Sequence, residues 1–192
     1  MLCSMNYRKK LYISLLALLA LLIGSNCSNK ALQAHYARGL DTHVFIVRHA
    51  EKELTPGLAD PPLTAAGQQR ALALRDTLWR NAMLSGIFST ATNRTRSTAQ
   101  PLADKRKLVV ETYDARKLPE LVARIRREYR GRTVLVVGHS NTILETVEAF
   151  GAPRPVPTIG DAEYDYLLEV RLPRDSTQAA TATARRYGAA SR

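Results

Sequence analysis

Arg48, His49 and Glu51 follow directly on an apolar run at 43–47 (H-V-F-I-V). Gly138, His139 and Ser140 follow a second run at 133–137 (T-V-L-V-V). Short β-branched apolar runs mark buried strands, so two strands end in a histidine. A side chain at the end of a buried strand has its backbone held by the sheet and faces a crevice. Two of the chain's four histidines therefore occupy equivalent positions, and Arg48 adds a fixed cation beside one of them. Such a set suits an anion and a nucleophile. A neutral imidazole can attack, and a guanidinium fork meets two oxygens of an anion at once.

The elements that must position these residues can be read around them. Residues 51–62 hold Pro56, Gly57, Pro61 and Pro62 and read as loop. Thr64 is the N-cap candidate of a helix to about Met83, with Ala71, Leu74 and Leu78 at helical spacing. Strands are expected at 86–89, 108–110 and 166–172, and helices at 93–105 (despite Pro101), 118–129 and 141–150. Strands alternating with helices, several of them apolar on both faces, predict an α/β fold: a three-layer α/β/α arrangement around a mainly parallel sheet. Residues 173–192 are rich in Ala, Thr and Arg without a clear period and read as a disordered basic tail.

The histidine segments resemble the histidine phosphatase superfamily, the phosphoglycerate mutase-like or R-H-G family, whose signature is Arg-His-Gly/Ala-Glu after the first strand. Pro62-Leu63-Thr64 to Gly67, with Arg70 and Ala71, is similar to the family's P-L-T-x-x-G segment at the first helix. Phe88-Ser89-Thr90 to Arg94, with Thr95, Thr98 and Ala99, is similar to S-S-x-x-x-R-x-x-x-T-A, and Gly138-His139-Ser140 to the second-histidine motif. One such motif is weak, but four in order and spacing from His43 to about Leu172 are specific.

The resemblance implies a phosphoglycerate mutase-like fold and a phosphatase. His49 would take the phosphoryl group as phosphohistidine, and water would then hydrolyse it. Arg48, Arg94 and His139 would bind the phosphate oxygens, His139 also taking part in catalysis. Neither metal nor other cofactor is implied, and the partner is a small phosphorylated substrate or a phosphoprotein. A proton donor is harder to name. Mutase-type members use a Glu within a longer insertion, whereas only a short stretch, 105–117, lies between helices here, with Glu111 and Asp114 in no matching motif. Glu51 is the nearest acid in sequence, ahead of Asp161 and Glu163. Without a dedicated acid, substrates with good leaving groups such as phosphohistidine or phosphoanhydrides are favoured. The short chain with an export signal argues against mutase activity itself.

Other readings stay beside this one. The fold could serve as a non-catalytic module binding a phosphate ligand or a partner. Ser140 on a strand-to-helix turn suggests a serine hydrolase, but Thr142 stands where that motif needs Gly, and no His follows Ser140. His35 and His43 have no motif around them and read as structural or solvent-facing.

Composition narrows the class further. The chain's 192 residues are 45% hydrophobic, enough for one packed domain, expected at 41–172. The two cysteines, Cys3 and Cys27, both lie near the start, which excludes a disulfide scaffold and thiolate chemistry in the body. Much of the net charge of +11 sits at the two ends, and the moderate remainder is scattered, so nucleic acid is not an expected partner. Residues 1–27 read as an export segment: Arg8, Lys9 and Lys10, an apolar run at 11–23, then small residues and Cys27. The run is short of the roughly 20 residues of a spanning helix. Cys27 resembles the lipidated residue of a lipoprotein, although Asn26 departs from the usual small residue before it. Cleavage after Ala34 or an uncleaved anchor are the alternatives. Each puts the domain outside the cytoplasm, lipid-anchored at the membrane, periplasmic or secreted, with 28–40 as linker.

Overall fold

The computed structural model describes residues 40–81 and 83–191. The expected export segment, Cys27 and nearly all of the linker lie outside them. Among the described residues no helix is long and apolar enough to cross a membrane.

Among the described residues ten elements follow in chain order: β1 Thr42–Arg48, α1 Ala65–Asn81, β2 Leu84–Ser89, α2 Asn93–Arg106, β3 Val110–Thr112, α3 Leu118–Glu128, β4 Thr133–Gly138, α4 Ile143–Ala149, β5 Tyr166–Leu172 and β6 Thr181–Arg186. They build one six-stranded sheet in the order β3-β2-β4-β1-β5-β6. The first four strands run parallel, while β5 is antiparallel to β1 and β6 to β5. The expected three-layer α/β/α arrangement is present. Val44 and Ile46 of β1 pack with Val134, Val136 and the apolar sides of α3 and α4, and Phe45 and Val47 pack with Leu135, Val137, α1 and α2 on the opposite face. Alternate residues of a strand face opposite ways, so a strand apolar at every position must be covered twice.

Local chemistry explains where elements start and stop. Thr64 caps α1, its Oγ1 accepting the Gly67 N–H at 3.1 Å. Gly67 also lets the loop behind His49 close in, because a Cβ there would stand 2.1 Å from the Glu51 carbonyl oxygen. The third strand begins at Val110, two residues later than expected. Lys107 takes the left-handed conformation at φ 56° and Leu108 N–H bonds Ala103 O, so these residues terminate α2 and are not free for the sheet. Likewise α4 starts at Ile143, since residues 139–142 form a turn in which Thr142 N–H bonds His139 O.

The expected disordered tail at 173–192 is corrected. Residues 181–186 pair with β5 along its length, from Tyr166↔Arg186 to Arg171↔Thr181. Ala182 and Ala184 alternate onto the core on one face of the sheet, and Tyr187 is buried in the core on the other. Methyl groups this small carry little hydrophobic signal, so the alternation does not stand out in the sequence.

Candidate active site

Parallel pairing of β1 with β4 sets Arg48 opposite Gly138, and His49 N–H bonds Gly138 O at 2.9 Å. The two histidines are thereby neighbours at the carboxyl edge of the sheet, with ring centroids 5.5 Å apart and planes inclined at 66°. On the other flank of β4, Thr90 extends β2, and its Oγ1 lies 2.9 Å from His139 Nε2. Arg94 reaches the same place from the first turn of α2. A cavity of about 740 Å³ is lined by Arg48, His49, Arg94 and His139 together with Asp161 and Tyr164. All four site residues expected from the sequence therefore meet in one crevice, as a strand-end site requires.

His49 is almost fully buried, and its Nδ1 lies 2.8 Å from Ala50 O. A carbonyl only accepts, so Nδ1 carries the proton and the Nε2 lone pair is left for other use. Burial, reinforced by the cations Arg48 and Arg94 and by His139, pushes its pKa down to about 3 against the opposing bond to Ala50. The ring is a neutral imidazole at ordinary pH. Burial and then Arg94 and Arg48 lower His139 as well. Ala50 is held in turn by its N–H to Thr98 Oγ1 at 2.9 Å.

The two arginines are fixed by different means. Arg48 Nη1 donates to the carbonyls of Gly160, Asp161 and Glu163 at 3.1, 2.7 and 3.3 Å, and its guanidinium lies 4.0 Å from the centre of the Tyr164 ring. Asp60 accepts from Arg94 Nη1 at 3.3 Å and from Asn93 N–H at 2.8 Å, so it caps α2 from outside while orienting Arg94. The Nε atoms of both Arg48 and Arg94 are buried and have no hydrogen-bond partner among the described residues. Buried donors are nearly always paired, so these two atoms are exceptions among the described residues.

The acids considered as proton donors separate. Glu51 binds Arg70 with both oxygens, at 2.7 to 2.9 Å, and lines a different cavity. Glu111 pairs with Arg124 and Tyr129, and Asp114 with Arg116. Glu163 binds Gly160 N–H and Arg186. Asp161 is the one acidic residue lining the cavity among the described residues. Ser140 also lies in the cavity wall, but the hydrogen bonds of the two histidine rings go to Ala50 and Thr90. Among the described residues no group of three or more His, Cys, Asp or Glu side chains is placed to hold a metal ion. Sequence reasoning missed Thr90 as the partner of His139, Asp60 and Tyr164. Thr90 sits inside a recognised motif, whereas Asp60 and Tyr164 lie in loops whose closure on the site leaves no local signal.

Comparison with known proteins agrees with this fold. Residues 44–117 match the model of the histidine phosphatase superfamily (branch 1). No curated protein sequence matches the chain. Among solved structures, the protein histidine phosphatase SixA in complex with tungstate is similar at 19% identity and a TM-score of 0.59, over 78% of this chain and 96% of its own. A mycobacterial glucosyl-3-phosphoglycerate phosphatase with VO3 is similar at 17% and 0.53, over 67% and 92%. A mutant phosphoserine phosphatase from Entamoeba histolytica in complex with phosphoserine follows at 15% and 0.50, over 67% and 90%. At these identities the likeness is one of fold. The matching segment carries His49 and Arg94, and with the second histidine closing the same crevice the chain is similar to the histidine phosphatase superfamily over that segment and in its fold.

Proposed function

We propose that this protein is a phosphatase working through a phosphohistidine on His49. The observation that carries the reading is the state of that ring: buried, neutral, with Nδ1 bound to Ala50 O and Nε2 available beside two arginines. In the first step the Nε2 lone pair attacks phosphorus in line, the N–P bond forms, and the bond to the leaving group breaks. Negative charge on the equatorial oxygens is met by Arg48, Arg94 and His139, which are already in place and need no reorganisation. In the second step water attacks phosphorus and the N–P bond returns its electron pair to His49.

The SixA and phosphoserine phosphatase structures make a small phosphorylated metabolite or a phosphoprotein reasonable substrates. Among the described residues Asp161 is the one acid lining the cavity, and the lack of a second carboxyl group there favours phosphoramidates or anhydrides over alkyl phosphates. The basic-then-apolar start of the chain supports action outside the cytoplasm, with Cys27 as a lipid attachment point.

The test is incubation with radiolabelled acetyl phosphate or phosphoramidate. Acid-labile label on His49, absent from His49→Ala, is the expected result, with turnover surviving excess chelator. Arg94→Ala should both slow turnover and weaken phosphate binding. Near-normal rates in His49→Ala would refute the reading, and phosphate binding with neither label nor turnover would make the protein a binding module.

A further inference from the structure

We propose that Asp161 is the base that activates the hydrolytic water and so discharges phospho-His49. This rests on the phosphatase reading above and gives its second step a residue.

The position is built. The Asp161 carbonyl accepts from Arg48 Nη1 at 2.7 Å, together with the carbonyls of Gly160 and Glu163. The segment is closed into a turn by Glu163 N–H to Gly160 O at 3.0 Å and by the Glu163 carboxylate on Gly160 N–H at 2.8 Å. From behind, Arg186 at the end of β6 holds Glu163 at 2.8 Å. The backbone of Asp161 is therefore held directly by Arg48 and through the turn that its neighbours Gly160 and Glu163 close. Its own carboxylate makes no hydrogen bond or salt bridge among the described residues, and the residue lines the cavity shared by His49 and both arginines. Glu51, Asp60, Glu163 and Asp165 lie near the site but are each bound to a cation or a backbone N–H.

The direction of proton transfer follows from exposure. Asp161 is solvent-exposed, so a proton taken from the attacking water can pass on to bulk solvent. As the water oxygen bonds to phosphorus, the N–P pair returns to Nε2, and the water proton passes to the Asp161 carboxylate and then to solvent. Among the described residues no second carboxyl group lines the cavity to protonate the departing group in the first step. The substrate class is thus one whose leaving group departs unaided: phosphoramidates, phosphoanhydrides or aryl phosphates.

Rapid-quench kinetics with p-nitrophenyl phosphate test this on the full chain, comparing wild type, Asp161→Asn and Asp161→Glu. Asp161→Asn should release a burst of nitrophenolate at the wild-type rate, then turn over about 100-fold more slowly while acid-labile phosphohistidine accumulates. Asp161→Glu should recover part of the discharge rate. Turnover of Asp161→Asn within about twofold of wild type overturns the assignment. So does a slowed burst, which would move Asp161 to the first step. If wild type itself never carries phosphate on His49, the phosphatase reading falls, and the assignment with it.

Discussion

Glu51 stands two residues from His49, yet its carboxylate is bound to Arg70, with Oε1 2.7 Å from Nη2 and both oxygens near Nε. The Arg70 side chain is 4% exposed and also donates to the carbonyls of Tyr187 and Ala189. The pair joins the loop after β1 to α1 and to the end of the described chain. It serves the fold, because a buried guanidinium robbed of its counter-charge is costly. Glu51→Gln is expected to lower stability by about 2–4 kcal/mol, read as a urea midpoint, with kcat per folded molecule nearly unchanged. A variant that folds normally but loses kcat would return Glu51 to the chemistry.

Thr90 predicts a different outcome. Its Oγ1 lies 2.9 Å from both His139 Nε2 and Thr95 Oγ1, and Thr95 is anchored to Thr92 O. When the Thr90 hydroxyl donates to Nε2, the neutral ring carries its proton on Nδ1, the other edge. Thr90→Val keeps the shape and removes this control, so activity should fall by roughly tenfold, the worth of one hydrogen bond. Thr90→Ser should restore most of it. Equal losses in the two variants would show that packing, not the hydroxyl, matters at this position.

The parts of the site that rest on strand ends were legible in the sequence, because a buried parallel strand is written in consecutive β-branched residues and its carboxyl end is where ligands gather. Arg48, His49 and His139 follow from that alone, and Arg94 from its motif. The orienting groups were not legible. Asp60 reaches Arg94 from a proline-rich loop, and Tyr164 stacks on Arg48 from the turn before β5. Loop closure depends on contacts distant in sequence, as between Arg48 and Gly160, which no local pattern records. The strand β6 was lost for a related reason: its core-facing side is two alanines, and Arg185 and Arg186 give it the composition of a tail.

The depressed pKa of His49 fixes how stability changes with acid. In the unfolded chain its imidazole takes a proton near 6.5, whereas in the fold it does so only near 3. The unfolded state binds more protons between those values, so the native contribution is complete above about pH 6.5 and declines as pH falls towards 3. His139, also lowered, acts in the same direction. Wild type should therefore lose stability from pH 7 to pH 5, and His49→Asn should lose less, by roughly 2 kcal/mol at ~1.4 kcal/mol per unit. Urea unfolding at the two pH values measures it. NMR of the ring nitrogens gives the direct check, since a His49 signal titrating near 6.5 would contradict the buried, neutral ring.

Tyr187 offers a test of the C-terminal segment that avoids the chemistry. It follows β6, is 4% exposed, and packs in the core cluster with Leu74, Leu78 and Leu167, with Arg70 stacked 5.8 Å from its ring centre. Its hydroxyl is buried with no hydrogen-bond partner among the described residues, and burial pushes the phenol pKa upward. A buried hydroxyl without a partner costs free energy, while the ring itself contributes by burial. Tyr187→Phe should therefore be neutral or more stable by about 1 kcal/mol. Tyr187→Ala should lose about 3–5 kcal/mol by opening a cavity. Thermal melts of the two variants decide it. If Tyr187→Phe destabilises markedly, the hydroxyl has a partner; if Tyr187→Ala is harmless, the segment after β6 does not pack on the sheet in solution.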